Sequence, residues 1–262
     1  MEMPTENFLN SRRRLAVPEN MLYKFYNNAI SLINRDYYTQ GERKKEVFKL
    51  KATETIGIIG ELKLSSPSNG QISSKKVNEI RDIYCKHGLR AISVLTEPNF
   101  FSGNLEYLGL FRECKKPLLM KDFIISSKQI TSGYSWGADI ILIIIKLTRM
   151  FDIDETELIN YAHSLDLQVI LEVNNIEELN YALKLGGDFI GINSRDLSTL
   201  KIDKSKFDLI KYVKDFDSIA MSSIESVDEI KKLEDMGFKF ALVGTYFMKN
   251  PEVIEEVEKF YG

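Results

Sequence analysis

The sequence predicts an α/β protein, a (β/α)8 TIM barrel with an N-terminal helical extension. Three observations carry that prediction. From about Lys51 onward, short apolar runs alternate with amphipathic stretches of helical period. Eight such pairs follow one another, the number a closed barrel of βα units requires. The turn after the first apolar run, Ser65-Ser-Pro-Ser-Asn-Gly70, lacks the Gly-x-Gly-x-x-Gly of the competing doubly wound open sheet.

Taken in order, residues 1–50 read as the extension, because their core is too small for a domain, and residues 51–262 as the barrel. The whole is a single domain. The extension carries Arg12-Arg13-Arg14, read as a solvated face that could also attract an anionic substrate. Pro18-Glu-Asn and an amphipathic helix through about Ile33 follow. The expected strands are 56–62, 91–95, 118–120, 140–145, 169–173, 189–192, 218–221 and 240–243. The fourth is wholly apolar, as a strand buried on both faces should be. The expected helices are 74–87, 105–113, 127–136, 155–164, 176–185, 206–213, 226–236 and 251–260. Gly88, Gly137, Gly186 and Gly237 stand where helices end and the chain turns into the next strand. With the last helix ending near Gly262, no fused second barrel is expected.

Bulk properties exclude several classes. The formal charge of −3 gives no pull toward nucleic acid or an anionic membrane. The longest apolar run, 140–145, is too short to span a bilayer. The opening Met1-Glu-Met-Pro-Thr-Glu is unlike a signal peptide, so a cytoplasmic location is expected. Cys85 and Cys114 lack CxxC spacing and read as free thiols in helices, which suits a reducing compartment. The two histidines, His87 and His163, support neither a His-rich metal site nor a Ser-His-Asp triad. No metal and no organic cofactor are expected. Nothing decides between a monomer and a weak homo-oligomer.

The first strand holds the strongest functional signal. Glu61 and Lys63 sit near its end at a spacing of two, which puts both on one side. Charged groups do not belong in a hydrophobic strand unless something pairs or uses them. Barrel active sites form at the C-terminal strand ends. The polar residues there are Glu61, Lys63 and Ser66 on the first, Lys121 and Asp122 on the third, and Glu172 on the fifth. The sixth adds Asn193 and Arg195, the seventh Ser222 and Ser223, and the eighth Gly244 and Thr245. Lysines and glutamates buried together have tunable pKa values and can move protons. Small and hydroxyl residues after the seventh and eighth strands suit a phosphate cradle.

These residues sit in longer segments. They are Gly60-Glu-Leu-Lys-Leu-Ser-Ser-Pro-Ser-Asn-Gly70, Ile92-Ser-Val-Leu-Thr-Glu-Pro-Asn-Phe-Phe-Ser-Gly103, Pro117-Leu-Leu-Met-Lys-Asp-Phe-Ile124 and Gly137-Ala-Asp-Ile-Ile-Leu142. Leu171-Glu-Val173, Gly191-Ile-Asn-Ser-Arg-Asp-Leu197 and Leu242-Val-Gly244 complete the set. In content and order the chain resembles the indole-3-glycerol-phosphate synthases of tryptophan biosynthesis, from about residue 50 to the C-terminus. The resemblance implies a carboxy-lyase that closes 1-(2-carboxyphenylamino)-1-deoxyribulose 5-phosphate to indole-3-glycerol phosphate, losing CO2 and water. It implies a catalytic set of Glu61, Lys63, Lys121, Glu172, Asn193 and Ser222. The implied substrate-binding set is Ser66, Phe101, Phe123, Arg195, Ser223, Gly244 and Thr245. Lys121 and Lys63 both remain candidates for the acid that polarises the ketone. Arg195 binds substrate or braces the acidic residues. Phe101 and Phe123 flank the anthranilate ring or belong to the barrel rim.

The match departs in two places. After the seventh strand the family pattern of Glu-Ser-Gly becomes Met221-Ser222-Ser223, and Leu64-Ser65 replaces basic residues after the first. Met221 is expected to alter activity or its pH profile without abolishing it. Two other readings compete: another phosphate-binding barrel enzyme such as phosphoribosylanthranilate isomerase, and a non-catalytic sugar-phosphate-binding paralogue. The Glu-x-Lys of the first strand with the lysine of the third favours the synthase.

Overall fold

Eight parallel strands close into a barrel in a computed structural model that describes residues 20–261. They are β1 (Gly57–Leu62), β2 (Ala91–Leu95), β3 (Leu118–Lys121), β4 (Ile140–Ile144), β5 (Gln168–Val173), β6 (Phe189–Asn193), β7 (Asp217–Met221) and β8 (Phe240–Val243). Each pairs with its sequence neighbours, and β1 pairs with β8 to close the ring, with Ile59 opposite Leu242. All eight expected strands are present, their ends within one residue of expectation. Alternation splits their side chains into two layers. Ile59, Leu119, Leu142, Ile170, Met221 and Phe240 fill the barrel, while Ile58, Met120, Ile143, Leu171 and Val243 pack against the surrounding helices. Both layers are buried, so the strands carry little polar punctuation.

The helices Ser127–Trp136 and Glu155–Ser164 match expectation at both ends. The expected 206–213 helix is a 3-10 helix, Lys204–Tyr212, and 105–113 ends in a 3-10 turn, Arg112–Cys114. Three short helices were not anticipated: Pro98–Phe101, Ile145–Met150 and Thr245–Lys249. Four to six residues are too few to show a period.

The N-terminal helix α1 (Met21–Asn34) begins behind Asn20, whose side chain accepts from Leu22 N–H. It lies across the C-terminal mouth of the barrel. Met21 N–H donates to Ser198 O beyond β6, and two turns along the helix Asn28 Nδ2 donates to Glu97 Oε1 beyond β2 (2.7 Å). Its buried face, Leu22, Phe25 and Ala29, belongs to the core that fills the barrel. The chain then descends the outside. Arg43 pairs with fully buried Asp139 at 2.7 Å, and Arg112 pairs with the other oxygen of the same carboxylate. Arg12-Arg13-Arg14 lie outside the described residues. Among the described residues, no helix is long and apolar enough to cross a membrane.

The expectation of free thiols is corrected. Cys85 and Cys114 form a disulfide, with Cα atoms 4.4 Å apart. The helix Val77–Lys86 and the turn Arg112–Cys114 finish side by side, a proximity that spacing in sequence does not reveal. His87 follows that helix and faces Glu258, Nδ1 to Oε2 2.6 Å, so it tethers the last helix.

Candidate active site

Glu61 stands at the centre of the mouth. It projects from β1 into the barrel with only 2% of its surface exposed. Lys121, the last residue of β3, donates to its Oε2 at 2.7 Å, and Lys63 lies 3.8 Å from its Oε1. Burial pushes the Glu61 carboxyl upward, but the combined attraction of Lys121 and Lys63 overrides it and holds the group below the usual carboxylate range. Burial, reinforced by Lys121 and Arg195, depresses Lys63 against the pull of Glu61. The residue after β8 gives way to this carboxylate: a Cβ on Gly244 would meet Glu61 Oε1 at 2.6 Å, so a side chain there would displace the carboxylate from its lysines.

Glu172 on β5 is equally buried. Asn193 on β6 donates Nδ2 to its Oε1 at 2.9 Å and is itself held by Asn174, which donates to Asn193 O at 2.6 Å. Burial raises the Glu172 carboxyl, and Lys121 and Asn193 only partly counter it. Two carboxylates in one mouth are thus pushed apart, Glu61 toward the charged form and Glu172 toward the protonated one. Such a split lets one group orient and the other exchange protons.

Two compartments meet over this cluster. One is apolar, walled by Phe101, Phe123, Leu142, Ile144 and Leu197, with Glu172 and Asn193 at its base. Phe123 stacks on Phe25 of α1 at 4.1 Å, and Lys63 Nζ sits 5.7 Å from the Phe101 ring centre. The other is polar, about 150 Å³, and is lined by Arg195, Ser222, Ser223, Gly244 and Thr245 together with Ser68 and Asn69. Glu61, Lys63, Lys121 and Ser222 line both.

Every expected residue except Ser66 therefore lines one cavity. Ser66 is turned inward, where its Oγ accepts from Asn69 N–H at 3.2 Å, and Ser68 and Asn69 face the cavity instead. Met221 is fully buried, packs over Gly191 and lines neither compartment. Three further residues of the mouth had no expected role, although Asp122 stood among the strand-end polar residues. Glu97 follows β2 and gathers the N–H groups of Asn99, Phe100 and Phe101 with Asn28 of α1. Asp122, beside Lys121, takes hydrogen bonds from Thr96 Oγ1 (2.5 Å) and Tyr38 OH (3.2 Å), and burial pushes its carboxyl up to about 7. Phe25 reaches in from the extension. A carboxylate directly after an apolar strand was a readable signal for Glu97, whereas Phe25 offered none. Among the described residues no cluster of three or more His, Cys, Asp or Glu could hold a metal ion.

Comparison with known proteins agrees with this geometry. The family model for indole-3-glycerol phosphate synthase matches residues 28–260. The indole-3-glycerol phosphate synthase of Aliarcobacter butzleri (strain RM4018) is 40% identical over 220 residues, covering 82% of this chain and 83% of that protein. That of Aquifex aeolicus (strain VF5) is 37% identical over 229 residues, covering 84% and 88%. Among solved structures, 3-hexulose-6-phosphate synthase superposes with a TM-score of 0.63 at 12% identity, covering 79% of this chain and 100% of that one. At that identity the likeness speaks for the barrel alone.

Proposed function

The chain belongs to the indole-3-glycerol phosphate synthase family, and from that premise we propose how its mouth carries out the ring closure of 1-(2-carboxyphenylamino)-1-deoxyribulose 5-phosphate. The observation that supports the reading best is the meeting of an aromatic-walled compartment and a polar one over the Lys121–Glu61–Lys63 cluster. The substrate has the same division: an anthranilate ring at one end, a phosphate at the other and the reacting ketone between.

The carboxyphenyl ring lies in the apolar compartment against Phe101 and Phe123. Arg195, Thr245 and the turn Ser222-Ser223 hold the phosphate, with Gly244 leaving room. Lys121, oriented by Glu61, is the acid that polarises the ketone oxygen as the aryl carbon attacks. Lys63 stands between the compartments, where its ammonium holds the anthranilate carboxylate until CO2 departs. Glu172, whose carboxyl burial pushes upward, protonates the departing hydroxyl, and its carboxylate then accepts the proton lost on aromatisation. Asn193 fixes Glu172 and a substrate hydroxyl.

The test is incubation of the pure protein with 1-(2-carboxyphenylamino)-1-deoxyribulose 5-phosphate in the presence of EDTA, following indole fluorescence. Indole-3-glycerol phosphate is the expected product. Substrate binding without product would overturn the reading in favour of a non-catalytic binder.

A further inference from the structure

The turn after β7 contains two consecutive non-glycine residues in the left-handed region, Ser222 at φ 69° and Ser223 at φ 53°. That backbone costs an L-residue about 1–2 kcal/mol. The N–H groups of Ser223 and Ile224, which line the polar compartment, meet no acceptor among the described residues. They are free to donate to an anion only while the turn keeps this shape.

Something must hold Ser223 there, and Ser194 is in place to do it. It follows β6, is fully buried and lines neither compartment. Its N–H and its Oγ both donate to Met221 O, at 3.1 and 3.2 Å, and its Oγ lies 2.7 Å from Ser223 Oγ. The serine pair holds with either hydroxyl as donor. Both arrangements tie the Ser223 side chain to Ser194, which lies outside the cavity lining.

We propose that Ser194 is a positioning residue for phosphate binding: it anchors the Ser223 side chain, keeps the glycine-free turn left-handed, and thereby presents the Ser223 and Ile224 N–H groups to the anion. The inference rests on the function proposed above. It assigns Ser223 to phosphate binding through its backbone N–H.

The test compares wild type, Ser194→Ala, Ser223→Gly and the double variant. Two quantities are read: KM and kcat for 1-(2-carboxyphenylamino)-1-deoxyribulose 5-phosphate, and the Kd of inorganic phosphate by calorimetry. Losing one hydrogen bond of ordinary strength predicts a rise of roughly fivefold in KM and Kd for Ser194→Ala, with kcat within about twofold. In the Ser223→Gly background, where no side chain needs an anchor, adding Ser194→Ala should change either constant by less than about twofold. An unchanged KM and Kd in Ser194→Ala would overturn the proposal, and so would an equal penalty in both backgrounds. Should Ser194→Ala fail to fold, Ser223→Ala keeps the Cβ and deletes the other end of the bond. It must weaken phosphate binding relative to Ser223→Gly, and equal binding by the two overturns the proposal. A wild type that makes no indole product sinks the proposed reaction, while the phosphate Kd series still decides the role of Ser194.

Discussion

Lys121 and Asp122 are adjacent, yet they face different work. Lys121 is ion-paired to Glu61 in the open mouth, so replacing it removes the proposed acid without exposing a core. Lys121→Met should lower kcat at least about 100-fold in protein that still folds, with a lower melting temperature because buried Glu61 keeps only Lys63 as a cationic partner. Full turnover in that variant would reject its role. Asp122 is enclosed by Thr96, Tyr38 and the N–H of Phe123, and its carboxyl is pushed up to about 7 by burial. The folded protein therefore holds a proton there that the unfolded chain releases near pH 4. Stability from this group is present at low pH and falls as pH rises from about 4 to about 7. Asp122→Asn should flatten that fall, read as a smaller difference in melting temperature between pH 5 and pH 8 than in wild type. Equal differences in the two proteins would remove Asp122 from the account. Lys121 and Glu172 were legible in sequence because a charge at an apolar strand end is conspicuous. Phe25 and the inward turn of Ser66 were not, because an aromatic on a helix and a serine in a turn look the same whichever way they point.

Helix α1 is the element that joins the extension to the chemistry. Its hold rests on Phe25, fully buried and stacked on Phe123, and on the contacts of Met21 and Asn28 at opposite rims. Truncating a buried phenylalanine costs about 3–5 kcal/mol, more than one peripheral helix can absorb and stay docked. Phe25→Ala should release α1 while the barrel persists. Limited trypsin digestion around residues 35–51 should accelerate and KM should rise, with the main melting transition moved by only a few degrees. Cleavage at the wild-type rate would show that α1 does not depend on Phe25. The strands of the barrel were readable because burial on both faces leaves unbroken apolar runs. The short helices in the βα loops were not, since their shape comes from caps such as Glu97 and not from a repeating face.

Across the whole molecule the underside is stapled while the mouth is held by side chains. The Cys85–Cys114 bond joins two helical segments where they return to the starts of strands, and Arg43 and Arg112 grip Asp139 nearby. Closing a loop between residues 29 apart is worth about 3–4 kcal/mol in the chain-entropy picture. Reduction, or a Cys85→Ala/Cys114→Ala double variant, should lower the melting temperature by roughly 6–14 °C. Activity at 25 °C should stay within about twofold, because neither cysteine lines the cavity. An unchanged melting temperature would show that the bond adds nothing to stability. Eight strand ends with acids and bases at one end made the site legible at this scale. The disulfide was not, because it depends on where two helices finish in space.

The anchorage of α1 also separates the two halves of the mouth. Through Phe25 on Phe123 the helix buttresses the wall of the apolar compartment, while none of its residues lines the polar one. Under the proposed reaction, loosening α1 should therefore weaken the grip on the ring more than the grip on the phosphate.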